Sequence, residues 1–302
     1  MLTRRLLRAL GHQQALRFGF RDRILRRFDD PDRTASAEFV VPFYGAKYRG
    51  NFDTFIDWSV YYYGAYERDD LELIGDFIAA LGDPVFVDVG ANVGHHTLFA
   101  ATRCRRVIAV EPFGPLVRRI QQKIDDNALS SVTIVACGFG ERDETAPYTP
   151  SSTNNTGTGA FGVGTSGSMV ALPIRRGDEV LAETGATGVG FLKIDTEGFE
   201  GHVLRGLSRT LAAARPVVWF EWSPRTAADR ADARDLFPEG YAFYRRAPDR
   251  AALGLFRRPG RRLEPLTGPW PETDILAVPG DFAARVATNP SAARALARLP
   301  RA

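Results

Sequence analysis

The chain has 302 residues, 44% of them apolar and 25% charged, with a formal net charge of +3. That balance belongs to a soluble globular chain able to bury a sizeable core and excludes a disordered or collagen-like one. The slight basic excess is spread too thinly to argue for nucleic acid. Cys104 and Cys137 have neither metal-site spacing nor the density of a disulfide scaffold. No apolar run approaches the ~18 residues of a membrane span, and the N-terminus lacks the apolar stretch of a secretion signal. A cytoplasmic protein with reduced cysteines is expected.

Residues 1–37 read as a basic arm, with eight arginines between Arg4 and Arg27 against one acid, Asp22. Its leucines could build an amphipathic helix in weak contact with an anionic membrane surface, although Gly11 and Gly19 weaken it. The favoured alternative is an arm that packs its leucines on the body and leaves its arginines in water.

A strand pair is expected near 38–50, followed by aromatic-rich helices. Then come "PVFVDVG", "RVIAVEP", "VTIVACGFG", "VGFLKIDTEG" and "RPVVWFEWS", apolar runs ending in acid or glycine and separated by helical stretches. Such alternation predicts a parallel sheet covered on both faces. Between the third and fourth runs, residues 149–168 are dense in Gly, Ser, Thr and Asn, the composition of a functional loop. The segments "GYAFYRRAP", "LGLFRRPGRRLEPLTG" and "DILAVP" read as closing strands of the sheet. One domain over 38–280 and an Ala/Arg-rich tail over 281–302 complete the chain.

Ligands of open parallel sheets bind beyond the carboxyl ends of the strands, where glycines admit close backbone approach. Here the first turn is "DVGANVG", a GxNxG run whose Gly90 and Gly94 flank Asn92. That pattern disfavours a dinucleotide, because Asn92 stands where the middle glycine would approach a pyrophosphate. A polar Asn suits a carboxylate and an ammonium. Glu111, ending the second strand, can accept hydrogen bonds from both hydroxyls of a ribose.

With "FVDVGANVGHHTL" (86–98), "VIAVEPF" (107–113), "LKIDTEGFE" (192–200), "VLRG" (203–206) and "RPVVWFEWS" in view, the chain resembles the FkbM family of S-adenosylmethionine-dependent methyltransferases over roughly residues 60–280. The resemblance implies an α/β, Rossmann-like class I methyltransferase fold, with a mostly parallel seven-stranded sheet and helices on both faces. It also implies O-methylation of a sugar, glycan or polyketide-type hydroxyl with S-adenosyl-L-methionine as cofactor. Asp88, Gly90, Asn92 and Gly94 map to the methionine cradle, Glu111 to the ribose contact and Phe113 to the adenine face. His95 and His96 open the next helix and read as packed or capping groups.

Methyl transfer to oxygen requires an in-line hydroxyl and a group to take its proton. Alternation places Phe191, Lys193 and Asp195 on one side of the fourth strand. Asp195 is the candidate for orienting cofactor or acceptor, and Glu197 the candidate proton acceptor. Glu200 reads as an acid at a helix N-terminus. Asn154, Asn155 and Glu221 are candidates for acceptor binding. Asp195, Glu197 and Glu221 have the right chemistry for magnesium, but their spacing defines no site and no metal is assigned. The rival functions are a nicotinamide-dependent oxidoreductase and a non-catalytic, membrane-associated binding protein that keeps the fold.

Overall fold

A computed structural model of the chain describes residues 2–150, 160–161, 169–223, 233–252, 254–258, 260 and 262–300. The chain opens with helices α1 (Leu2–Gly11) and α2 (Phe18–Phe28), then the hairpin β1 (Glu38–Phe43) and β2 (Ala46–Asn51). Helix α3 (Phe55–Tyr63) begins where the Thr54 side chain accepts the Asp57 N–H and ends at Gly64, whose φ of 81° is left-handed. Helix α4 (Arg68–Leu81) follows.

The core then alternates strand and helix: β3 (Val85–Val89), α5 (His95–Ala101), β4 (Arg106–Val110), α6 (Gly114–Asn127) and β5 (Val132–Val135). Next are β6 (Gly138–Gly140), β7 (Glu144–Thr149), β8 (Ala160–Phe161), β9 (Val170–Arg176) and α7 (Gly177–Glu183). The second half runs β10 (Val189–Ile194), α8 (Glu200–Gly206), α9 (Ser208–Ala214), β11 (Val217–Trp222) and β12 (Tyr241–Arg246). It closes with β13 (Arg250–Ala252), β14 (Phe256–Arg258), β15 (Leu263–Pro265), β16 (Thr273–Pro279), α10 (Phe282–Arg285) and α11 (Ala292–Arg298).

The main sheet has the order β15-β12-β16-β11-β10-β3-β4-β5. Strands β11, β10, β3, β4 and β5 pair in parallel, and β16 runs antiparallel between β11 and β12. This is the Rossmann-like, doubly wound arrangement expected from the sequence. One detail differs, since eight strands stand where seven were expected. The short edge strand β15 pairs with β12 and supplies the eighth.

Every residue of β3 and β10 is buried, which is why both read as near-continuous apolar runs. Alternation divides them between two cores. Phe86, Phe191 and Trp219 face α4, α5 and α11, whereas Val87, Val89, Leu192, Ile194 and Phe220 face α7, α8 and α9. The Phe86 and Phe191 rings stack 5.2 Å apart across the two strands.

The run "VTIVACGFG" is two strands, not one. After β5 the chain leaves the main sheet, and β6 joins a second sheet of order β6-β9-β7-β8. Its glycines explain the departure: a Cβ on Gly206 of α8 would meet the Gly140 carbonyl oxygen at 1.9 Å, so helix and strand backbones touch. The closing segments also divide. Strands β12, β15 and β16 belong to the main sheet, while β13 and β14 form a separate hairpin.

The arm folds back on the body as two helices. Leu7 and Leu25 are buried with Trp58 and Tyr62 of α3, and Arg4 pairs with Asp29 at 2.8 Å. In the C-terminal segment, Ala292 and Ala295 of α11 are buried, and Arg298 pairs with Asp76 of α4 at 2.6 Å. Cys104 and Cys137 are free and buried. No helix among the described residues is long and apolar enough to cross a membrane.

Candidate active site

At the carboxyl ends of the parallel strands lies a cleft of about 190 Å³. The turn from β3 to α5, the end of β4, the β10 turn, Glu221 of β11 and Asp274 of β16 all contribute to it. Tyr66 and Glu67, between α3 and α4, and Tyr148 at the end of β7 complete the lining.

The glycine turn is held against its neighbour by backbone contact. Gly90 has φ 79°, and a Cβ there would meet the Asp195 carbonyl oxygen at 1.8 Å. The N–H of Asp195 donates to the Val89 carbonyl at 3.0 Å, locking the β3 and β10 turns together. Asn92 also adopts a left-handed conformation, with φ 52°, one that Asn tolerates better than most residues. Gly94, with φ 81°, lies against Ile120 of α6.

Glu111 is 5% exposed and faces this turn. Its Oε2 accepts the Asn92 N–H and its Oε1 the Phe113 N–H, each at 2.9 Å. Each carboxylate oxygen has two acceptor positions, so one on each remains for a ligand hydroxyl. Burial pushes the Glu111 carboxyl up to about 7, against the opposing pull of those two N–H donors. Phe113 is half-buried and does not itself line the cleft. It packs with Ile56, Val93 and Leu116 and lies 5.5 Å from the ring of Tyr148, which itself faces the cleft.

Beneath the turn, Lys193 and Asp88 occupy paired positions on adjacent strands. The Lys193 ammonium donates to Asp195 Oδ2 at 3.1 Å and lies 3.6 Å from Asp88 Oδ1. Asp88 also accepts the Thr97 hydroxyl at 2.7 Å. Burial opposes the charge on Lys193, but Asp195, Asp88 and Glu67 outweigh it and raise its pKa. The alternation expected along β10 therefore sets Lys193 beside Asp195.

The β10 turn carries the candidate chemistry. Glu197 has φ 56° and Gly198 φ 96°, successive left-handed residues. Glu200 holds that shape by accepting the Thr196 N–H, the Thr196 hydroxyl and the Gly198 N–H, each at 3.0 Å. Asp195, Glu197 and Glu221 each bring a carboxylate oxygen within 4.8 Å of the other two. Burial, then the charges of Asp195, Glu197 and Glu200, push Glu221 up to about 8. A cation among these carboxylates relieves that repulsion, and their oxygens suit a hard divalent ion as well as an organic cation.

His95 and His96 line the cleft from the start of α5. His95 Nε2 accepts the Tyr66 N–H at 3.3 Å. Burial lowers its pKa to about 3 and holds His96 well below the ordinary value as well, so both imidazoles are neutral.

Two acids here escaped the sequence reading. Glu67 sits at φ 47° just before α4, and burial with the charges of Asp195 and Asp70 pushes it up to about 7. Asp274 lies opposite Glu221 in the β11–β16 register, and burial and the surrounding acids raise it well above the usual carboxylate range. Asn154 and Asn155 lie outside the described residues.

A family model described as the methyltransferase FkbM domain matches residues 88–244, more than half of the chain. AMB antimetabolite synthetase AmbE of Pseudomonas aeruginosa is 29% identical over 199 residues, covering 52% of this chain and 9% of its own. Hexuronic acid methyltransferase AglP of Haloferax volcanii is 30% identical over 152 residues, covering 50% of this chain and 61% of its own. The chain thus spans less than two thirds of either relative. A solved methyltransferase FkbM from Methylobacillus flagellatus KT is 18% identical with a TM-score of 0.41, covering 65% of this chain and 43% of that one. A SAM-dependent methyltransferase from Agrobacterium tumefaciens is 10% identical with a TM-score of 0.45, covering 83% of this chain and 72% of that one.

Proposed function

This chain belongs to the FkbM methyltransferase family, and from that premise we propose that it methylates a hydroxyl of a sugar, glycan or polyketide-type acceptor, with S-adenosylmethionine as methyl donor. One observation carries the reading: the Gly90 turn, Glu111 and the Asp195–Glu197–Glu221 wall converge on a single cleft.

The residues present fit the cofactor. Glu111 keeps free acceptor positions for two ribose hydroxyls, and the Gly90–Gly94 turn offers close backbone approach to the methionine portion. Tyr148, backed by Phe113, offers an aromatic surface for the adenine. Glu67, Glu111, Asp195, Glu197, Glu221 and Asp274 surround the cleft, and Lys193 is the one cationic side chain among its described lining residues. That excess of carboxylates suits a sulfonium. When bound, S-adenosylmethionine supplies an electrophilic methyl group.

The chain's own residues do the rest. Lys193 fixes Asp195, which orients the bound groups. Glu197, presented on the turn that Glu200 holds, accepts the proton of the acceptor hydroxyl. Glu221 and Glu67 accept hydrogen bonds from other acceptor hydroxyls when ionised and donate to them when protonated. The AglP relative is named for a hexuronic acid, but an acidic acceptor would meet several carboxylates here, with Lys193 already held by Asp88 and Asp195. A neutral, hydroxyl-rich acceptor fits better. Initial rates with methyl-labelled cofactor on matched neutral and uronic sugars test this: faster turnover of neutral sugars is expected, and a preference for uronic acids would overturn the acceptor assignment.

A further inference from the structure

The N-terminal arm packs on the body through only part of its apolar surface. Leu7 and Leu25 are buried, yet Leu6 is 64% exposed, Phe28 67%, Phe18 47% and Phe20 37%. Nine large apolar side chains are exposed among the described residues, and six of them lie on this arm or on the segment hydrogen-bonded to it. The remaining two of those six are Leu255 and Phe256. The Leu255 carbonyl accepts the Arg17 N–H at 2.8 Å, and Phe256 bridges to Leu16.

Basic residues are interleaved with this apolar surface. Arg4, Arg21 and Arg26 are committed to Asp29, the Gly11 carbonyl and Asp22 respectively. Arg5, Arg23 and Arg27 are exposed and pair with no carboxylate among the described residues. On α2, helical spacing puts Phe20, Arg23 and Arg27 on one face, with Phe28 at its edge. The buried face of the same helix holds Leu25 against Trp58 and Tyr62, so the outward face is available to a partner while the helix stays docked.

We propose that this surface docks the protein on an anionic lipid bilayer, with Phe20 and Phe28 entering the headgroup boundary and Arg23 and Arg27 meeting lipid phosphates. Aromatic and aliphatic side chains interleaved with unpaired arginines complement such an interface in both polarity and charge. The described arm carries one acid, Asp22, before the Asp29–Asp30 turn, and that acid is occupied by Arg26. Helix α3 links the surface to the cleft: Trp58 and Tyr62 pack on Leu25, and Ile56 lines the cleft.

Co-sedimentation of the full chain with vesicles of phosphatidylcholine, with and without phosphatidylglycerol, tests the proposal and needs no enzymatic readout. Binding is expected only to the anionic vesicles, weakening as salt is raised. Each arginine near an anionic surface contributes about fivefold in partition, so the pair Arg23→Ala and Arg27→Ala should lower binding roughly twenty-five-fold. The pair Phe20→Ser and Phe28→Ser should lower it by about tenfold or more. These side chains are exposed, so the variants should keep the wild-type Tm. Absence of binding to anionic vesicles, equal binding by well-folded variants, or a solution dimer that depends on Phe28 would each overturn the proposal.

Discussion

Replacing Glu111 with glutamine keeps the shape of the side chain but removes the charge from the end of β4. In the structure each oxygen of Glu111 accepts one backbone N–H, from Asn92 or from Phe113. Glutamine can preserve one of these bonds through its carbonyl, but its amide must face the other N–H. For the ligand, one ribose hydroxyl loses its acceptor and the second keeps only a neutral one. Hydrogen bonds to charged groups contribute about 1.5–3 kcal/mol each, so cofactor binding should weaken by about 2–4 kcal/mol, roughly thirty-fold to several-hundred-fold in Kd. Calorimetric titration with S-adenosylhomocysteine measures this without turnover, and the Tm of the ligand-free variant reports separately on the lost N–H partner. An unchanged Kd in a folded variant would remove Glu111 from the cofactor site.

Gly90→Ala drives a Cβ into the Asp195 carbonyl oxygen at 1.8 Å and should cost about 3 kcal/mol or more through overpacking and left-handed strain; thermal unfolding of a variant as stable as wild type would contradict the interlocked turns. Glu197→Gln should lower turnover by about 10² with cofactor affinity nearly unchanged, and steady-state kinetics at saturating substrates would refute the assignment by showing wild-type kcat. Turnover should survive EDTA, since no metal is assigned; loss on chelation with recovery on added magnesium would instead give the Asp195–Glu197–Glu221 cluster a metal. Glu67, Glu111 and Glu221 have pKa values raised by burial to about 7, 7 and 8 from 4.5, so they favour the folded state while protonated. Their contribution is fully present below the unfolded value and is lost as pH rises through the folded ones. The Tm of the ligand-free protein should therefore fall between about pH 5 and pH 8, and a rise across that window would contradict the buried acidic cleft.

The parts of the site that could be read from the sequence are those that strand chemistry writes locally. β3, β4, β10 and β11 are almost wholly buried, so each reads as a mainly apolar run, and the residues that directly follow β3, β4 and β10 mark the point where the chain leaves the sheet. Glu111, Asp195 and the Gly90 turn stand at those points. Glu67 and Asp274 were hidden because tertiary packing brings them in. "YERDD" reads as the charged start of α4, and nothing local shows that Glu67 turns inward at a left-handed φ. Asp274 belongs to the antiparallel strand β16, which meets the cleft at its start rather than at its end. The division of β5 from β6 was equally hidden, since it depends on Gly140 meeting Gly206, residues far apart in the chain. Tyr148, from the second sheet, was not legible as a cleft residue either: its ring lies 5.5 Å from that of Phe113 and lines the cleft, a contact only the tertiary fold makes.

The most direct test of the central claim is the site of the transferred methyl group. The protein is incubated with methyl-labelled S-adenosylmethionine and a panel of sugars, glycolipids and polyketides, and the labelled product is examined by nuclear magnetic resonance. A label is expected on a hydroxyl oxygen of a neutral acceptor, formed more slowly by Glu197→Gln. A label on nitrogen or carbon, or none on any acceptor while the cofactor binds, would contradict it.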